Sequence, residues 1–186
     1  MNETGVSAAL RQEYLREILA GKRKPALEII MDAYRGGYPI LGIYMDVFQE
    51  ALYEIGRLWE TNQITVADEH MGTAITQYVM SNLYQHLEFS DKQRGRLVMT
   101  GVQGELHQVG ANMVSDVLEA DGWEVMFLGT NVPEEGIIKS IIHLITERVQ
   151  CQYLKVNTLK SRTKSPQFTT HQACGYGRST MREFGR

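Results

Sequence analysis

The sequence is short of several things that would place it quickly. It has only two cysteines, Cys151 and Cys174, in 186 residues; two cysteines so far apart exclude a disulfide framework and a Cys-rich metal site. The N-terminus, Met1-Asn2-Glu3-Thr4, lacks a basic start followed by an apolar run, so no secretory signal is expected. No apolar stretch approaches the roughly 18 residues that a membrane-spanning helix needs. The expectation is therefore a cytoplasmic protein without a membrane segment. Excess charge is also lacking: the formal net charge of −3 gives no overall reason to expect nucleic acid or an acidic membrane as partner. What is present is an ordinary globular composition, 43% apolar and 22% charged, long enough for one domain or two small ones.

The charge is unevenly placed. Residues 1–150 carry 12 Lys/Arg against 21 Asp/Glu, whereas residues 151–186 carry 7 against the single acid Glu183. Within the acidic part, Ser7 to about Leu87 reads as helices. Leu10, Tyr14, Leu15, Ile18 and Leu19 give one helix an apolar face, and Gly21 stops it. Pro25 opens a second, where its missing N–H costs nothing, with Leu27, Ile30, Met31 and Tyr34 facing inward. Pro39 opens a longer stretch from Ile40 to about Glu60. Thr65 is the expected N-cap of the last helix, with Asp68 three residues on as the Asp version of a capping box. Four amphipathic helices with short connections predict a small bundle over residues 1–89.

Ser90 to Gly95 is polar and marks a boundary. Beyond it the period changes. Leu97-Val98-Met99 and Trp123 to Leu128 are apolar strand candidates, Val109 to Leu118 and Glu134 to about Ile145 are helical, and glycines punctuate the turns. Strand, helix, strand, helix at this spacing begins a doubly wound parallel sheet, over residues 95–145. A third apolar strand should follow, but only 11 of the last 36 residues are apolar, with Gln152 to Val156 as the best stretch. Residues 146–186 thus read as an irregular basic tail, and the predicted class is a helical bundle followed by an incomplete α/β domain. That tail has no nucleic-acid motif, so no direct contact with nucleic acid is expected.

The informative turn is Gly104-Glu105-Leu106-His107-Gln108-Val109-Gly110, between the first strand and its helix. Ligands of open α/β sheets sit outside the carboxyl ends of the strands, so His107 stands at the ligand edge. Glu105 can accept a hydrogen bond from the imidazole's second nitrogen and make the other a stronger metal donor. Gly104 and Gly110 permit close backbone approach. A loop histidine is more often solvated than ligating, and spacing alone leaves both readings open. The glycines do not form G-x-G-x-x-G, which argues against a dinucleotide site. His86 reads as a favourable cation near the end of the last bundle helix, His143 and His171 lack an orienting carboxylate at a motif spacing, and Cys174 has no catalytic context.

Residues 95–141 resemble the start of the cobalamin-binding domain shared by corrinoid methyltransferases, methionine synthase and cobalamin-dependent photoreceptors. The family motif D-x-H-x-x-G stands here as Glu105-Leu106-His107-Gln108-Val109-Gly110, and Leu128-Gly129-Thr130-Asn131-Val132-Pro133 is similar to the family's second strand and turn. Trp59, nine residues, then Glu69-His70 resembles the W-x9-E-H pattern of the photoreceptor cap and its relatives. The resemblance covers about residues 5–143. It implies a Rossmann-like domain in which His107 coordinates cobalt from the lower face, with Gly104, Glu105 and Gly110 around it. It further implies a helical cap whose Trp59 packs over the upper ligand, while Glu69 and His70 hydrogen-bond near it.

Of the family's later features, no Ser-x-Thr or Ser-x-Leu segment ends a buried strand here, and no Gly-Gly occurs after residue 37. The implied cofactor is adenosylcobalamin or methylcobalamin. The implied function is a cobalamin-binding module for light or ligand sensing through a partner chain or self-association. Two alternatives stand beside it: a corrinoid methyl carrier serving separate methyltransferases, and a remnant that acts only through protein contacts.

Overall fold

The structure, a computed structural model, describes residues 3–146 and 151–153. Most of the basic tail, His171 and Cys174 included, lies outside the described residues. Two compact units divide between Glu88 and Phe89.

The first unit is helical: α1 (Glu3–Leu19), α2 (Arg23–Arg35), α3 (Ile40–Gly42), α4 (Glu50–Glu60) and α5 (Val66–Tyr84). A π-helical segment, Ile43–Gln49, joins α3 to α4 without a break, so four helical runs form the bundle. Pro25 is the third residue of α2 rather than its first. Its missing N–H still falls among the first four amides, which have no partner within a helix.

The apolar faces meet as the periodicity predicts. Tyr14 and Ile18 of α1, Ile30 of α2, Phe48, Ile55 of α4, and Val79 and Leu83 of α5 are fully buried. The Phe48 ring lies 5.4 Å from Tyr14 and 5.6 Å from Tyr44, tilted in both cases. One polar chain crosses this core. The Tyr14 hydroxyl donates to Thr76 Oγ1 at 3.1 Å, which donates to the Gly72 carbonyl at 2.9 Å. Burial pushes the Tyr14 phenol well above its usual range, with the Thr76 bond opposing, so it stays a neutral donor. The N-terminus of α5 carries the expected capping box: Asp68 N–H donates to Thr65 Oγ1 at 3.3 Å, and Asp68 Oδ2 accepts from Thr65 N–H at 2.8 Å. The Thr65 hydroxyl and amide bonds hold the Asp68 carboxyl below its ordinary value.

The second unit comprises β1 (Gly95–Met99), α6 (Val109–Ala120), β2 (Trp123–Phe127), α7 (Glu134–Thr146) and β3 (Cys151–Tyr153). All strands are parallel, in the order β2-β1-β3. The sequence predicts two strands and an irregular tail from residue 146; the structure carries a third strand, Cys151–Tyr153, paired with Arg96–Val98. Three residues without an apolar run leave little periodic signal, and pairing to β1 defines the strand. Alternation along the strands sorts the faces. Leu97 and Met99 pack with Val125 and Phe127 against Ala111, Val114 and Leu118 of α6. Helix α7 packs on β1 and β3.

The polar boundary, Ser90 to Arg94, is tied to the second unit. Ser90 N–H donates to Ala120 O at 2.9 Å and Arg94 N–H to Gly122 O at 3.0 Å, and Arg94 pairs with Asp121. Gly122 has φ +95°, and a Cβ there would stand 1.9 Å from the Lys92 carbonyl oxygen. Only glycine fits both the backbone region and the space. Among the described residues, no helix is long and apolar enough to cross a membrane.

Two outcomes follow from these contacts. Gly122→Ala should destabilise the second unit by about 2 kcal/mol or more, through strain and backbone collision. Hydrogen exchange should show faster opening of β1 and β2 amides, while α1 to α5 stay protected. Thr65→Ala should lower stability by about 1 kcal/mol through the lost cap, read as a lower midpoint in thermal melts. The Asp68 contribution is complete above the ordinary aspartate value of 3.8 and is lost as pH falls through the lowered folded value. The stability gap between wild type and Asp68→Asn should therefore close on acidification.

Candidate functional site

The strand order determines where a ligand can sit in the second unit. From β1 the chain moves to β2 on one side, then crosses back to β3 on the other. Such a reversal opens a crevice at the carboxyl ends of the strands. The turns after β1 and β2 both lie at that edge, and they are stitched together. Gly101 N–H donates to Gly129 O at 3.0 Å, Val132 N–H to Gly101 O at 3.2 Å, and Leu128 N–H to Met99 O at 2.9 Å. The buried Thr100 hydroxyl adds a bond to Gly129 O at 3.1 Å.

On this frame sits the turn that carries His107. Gly104 has φ +89°, a region that glycine enters freely, and the chain then doubles back into Glu105. Glu105 Oε1 accepts twice from the same residue: from His107 N–H at 2.7 Å and from His107 Nδ1 at 2.6 Å. The Glu105 side chain is 18% exposed and the imidazole 83%. A carboxylate only accepts, so Nδ1 donates to it, and in the neutral imidazole Nε2 then holds the lone pair on the exposed ring. Gly110 is the second residue of α6, and a Cβ there would meet nothing within 4 Å. Packing inside this unit does not demand a glycine at that position, which leaves room for an incoming group.

A chemical test of fit follows. Among the described residues no group of three His, Cys, Asp or Glu side chains could hold a metal ion. A bare ion needs several protein donors, and among the described residues His107 stands in no such group. A single imidazole of fixed tautomer suits a metal whose other ligands arrive with a macrocycle, as an axial histidine serves a haem. The residues present fit that kind of group. Beside the same edge a cleft of about 570 Å³ is lined by Val102, Gln103, Val132, Glu134, Ile137, Ile138 and Ile141; it does not include His107.

In the helical unit, Trp59 stands near the end of α4 and is 46% exposed, so its ring is outside the core. Glu69 and His70 lie in the first turns of α5. They diverge in exposure, 25% against 75%, yet His70 Nδ1 hydrogen-bonds Glu69 Oε2. Thr73 Oγ1 braces the other carboxylate oxygen at 3.0 Å. This histidine, too, is held through Nδ1 with Nε2 turned away from its glutamate. His86 lies past the end of α5 with its ring 5.0 Å from Tyr34.

Two positions that tie the turns together escape a reading by spacing. Thr100 and Asn131 help hold the turns, and their bonds span 29 and 27 residues. The only available signal was that Asn131 falls inside the segment Leu128 to Pro133.

Residues 10–84 and residues 95–148 each match a family described as a B12 binding domain. The chain is 25% identical to methionine synthase of Mycobacterium leprae over 130 residues, covering 67% of this chain and 11% of that protein. It is 26% identical to the HTH-type transcriptional repressor CarH of Myxococcus xanthus over 141 residues, covering 75% and 44%. With monomethylamine corrinoid protein 2 of Methanosarcina acetivorans it shares 22% over 142 residues, covering 75% and 64%. The matched stretch is thus under two thirds of each of these relatives. Among solved structures, the fold matches the Methanosarcina barkeri monomethylamine corrinoid protein with a TM-score of 0.67 at 20% identity, covering 78% of this chain and 68% of that one. With the two halves matched in order, the chain belongs to the cobalamin-binding family of B12 binding domains, whose cofactor is a corrinoid.

Proposed function

We propose that this chain is a cobalamin-binding module whose cobalt would be held by the His107 imidazole. The observation that carries the reading is the double bond of His107 to Glu105 Oε1, with Nε2 left free at the carboxyl edge of the sheet. When bound, the corrinoid supplies a cobalt–carbon bond that light or a methyl acceptor can break. The residues of this chain do the rest. Glu105 fixes the imidazole tautomer and raises its basicity, Gly104 and Gly110 leave space for approach, and His107 presents its lone pair.

For the helical unit we assign Trp59, Glu69 and His70 to the group that the cofactor would carry on its cobalt. An exposed indole can cover an apolar group. The Glu69–His70 pair could hydrogen-bond that group, and His70 Nε2 could serve as a nitrogen donor to the metal. This W-x9-E-H arrangement supports sensing with adenosylcobalamin, with the altered packing passed to a partner chain or a second copy. The likeness to the monomethylamine corrinoid proteins supports a methyl carrier serving a separate methyltransferase equally well.

Two experiments test these assignments. Protein loaded with hydroxocobalamin in darkness should retain corrinoid through gel filtration and show the absorption of imidazole-ligated cobalt. His107→Ala should lose that signature with the helices intact, and Glu105→Ala should weaken ligation about 10- to 100-fold. Unchanged coordination in His107→Ala would sink the assignment.

The second experiment separates sensor from carrier. With adenosylcobalamin bound, green light should change the absorption and the hydrodynamic size or partner affinity. His70→Ala should alter the illuminated state more than the dark one. Identical dark and lit behaviour, combined with rapid methyl exchange in the presence of a corrinoid methyltransferase, would establish the carrier instead.

A further inference from the structure

We infer that Asn131 is a positioning residue for the axial histidine, acting across the edge of the sheet from the turn after β2. The inference deepens the reading of His107 as a cobalt ligand and rests on it. Asn131 Oδ1 accepts the Gly104 N–H at 2.9 Å. Gly104 is the residue immediately before Glu105, so this bond anchors the base of the turn whose carboxylate orients His107. Both ends of the bond are set in unusual backbone: Gly104 at φ +89° and Asn131 at φ +57°. The left-handed conformation of Asn131 directs its short amide back at the neighbouring turn, a conformation that asparagine tolerates better than most residues.

The surroundings leave this frame little freedom. Gly101 N–H and C=O bond the Gly129–Val132 turn on both sides of Asn131. A Cβ at Gly101 would stand 2.8 Å from Thr130 Cγ2, so the two turns are in close contact. The backbone bonds bring the turns together up to Val102, which bridges to Val132. Past Val102, the Asn131 side chain carries the connection to Gly104. Within the turn itself, Glu105 N–H donates to Val102 O at 2.9 Å and Glu105 pairs with His107; the Asn131 bond ties that turn to its neighbour across the sheet edge. An imidazole that is 83% exposed has little else to hold it.

Two substitutions separate the side chain from the backbone. Asn131→Gly accepts the positive φ but removes the acceptor; Asn131→Asp keeps an oxygen at the same place. In 15N-labelled protein without corrinoid, at a pH where the imidazole is neutral, NMR reads the His107 tautomer and the exchange rate of the Gly104 amide. Wild type and Asn131→Asp should hold the Nδ1–H tautomer and a protected Gly104. Asn131→Gly should shift the tautomer toward Nε2–H and exchange Gly104 roughly tenfold faster, the loss expected for one hydrogen bond.

Any other pattern overturns the inference: an unchanged tautomer in Asn131→Gly means the turn holds itself. Loss in both variants means the amide acts through something other than this acceptor. With hydroxocobalamin bound, imidazole ligation should weaken about tenfold in Asn131→Gly alone. A wild-type protein that takes up no corrinoid would defeat the proposed function, while the tautomer measurement would still decide the role of Asn131.

Discussion

The second unit depends chemically on one carboxylate oxygen. Glu105 Oε1 receives the backbone N–H of His107 and its ring Nδ1 together. The first bond bends the chain at the mouth of α6, and the second turns the ring and sets its tautomer. Because one acceptor serves both, the shape of the turn and the direction of the lone pair are coupled. That is an economical way to aim a side chain that packs against almost nothing. The helical unit repeats the device with Glu69 and His70, where Thr73 steadies the carboxylate. In each case a mostly covered glutamate holds a mostly exposed histidine.

Strand order gives this pair its place. In a sheet running β2-β1-β3, the chain reverses direction beside β1, and the turn after β1 opens into the resulting crevice. The bonds between the turns after β1 and β2 then make the edge a single platform. Among the described residues no group of three metal donors stands at this platform; what it presents is a single imidazole held by one carboxylate.

Much of this was legible along the chain. The four helical runs follow from apolar residues at three- and four-residue spacing, and Thr65 with Asp68 forms the cap that its spacing predicts. The Glu105–His107 pair was also legible, because residues two apart in a turn are close whatever the rest of the fold does. The π-helical segment Ile43–Gln49 was not, since its buried residues fit an α-helical spacing equally well. Nor was β3, whose three residues are defined by what they pair with.

The sequence by itself determined the helical runs, the first two strands, the Thr65–Asp68 cap and the local hydrogen bond that orients His107. These rest on interactions between neighbours along the chain, or on the steric demands of one residue. Only the tertiary structure decided the strand order, the stitching of Gly101 to Gly129 and the bond from Asn131 to Gly104. Those connect residues about 27 or more apart, and nothing in the composition of either turn specifies its partner. The physical reason is that a hydrogen bond has a short reach. Residues distant in sequence come within it only after the sheet has brought their turns to the same edge.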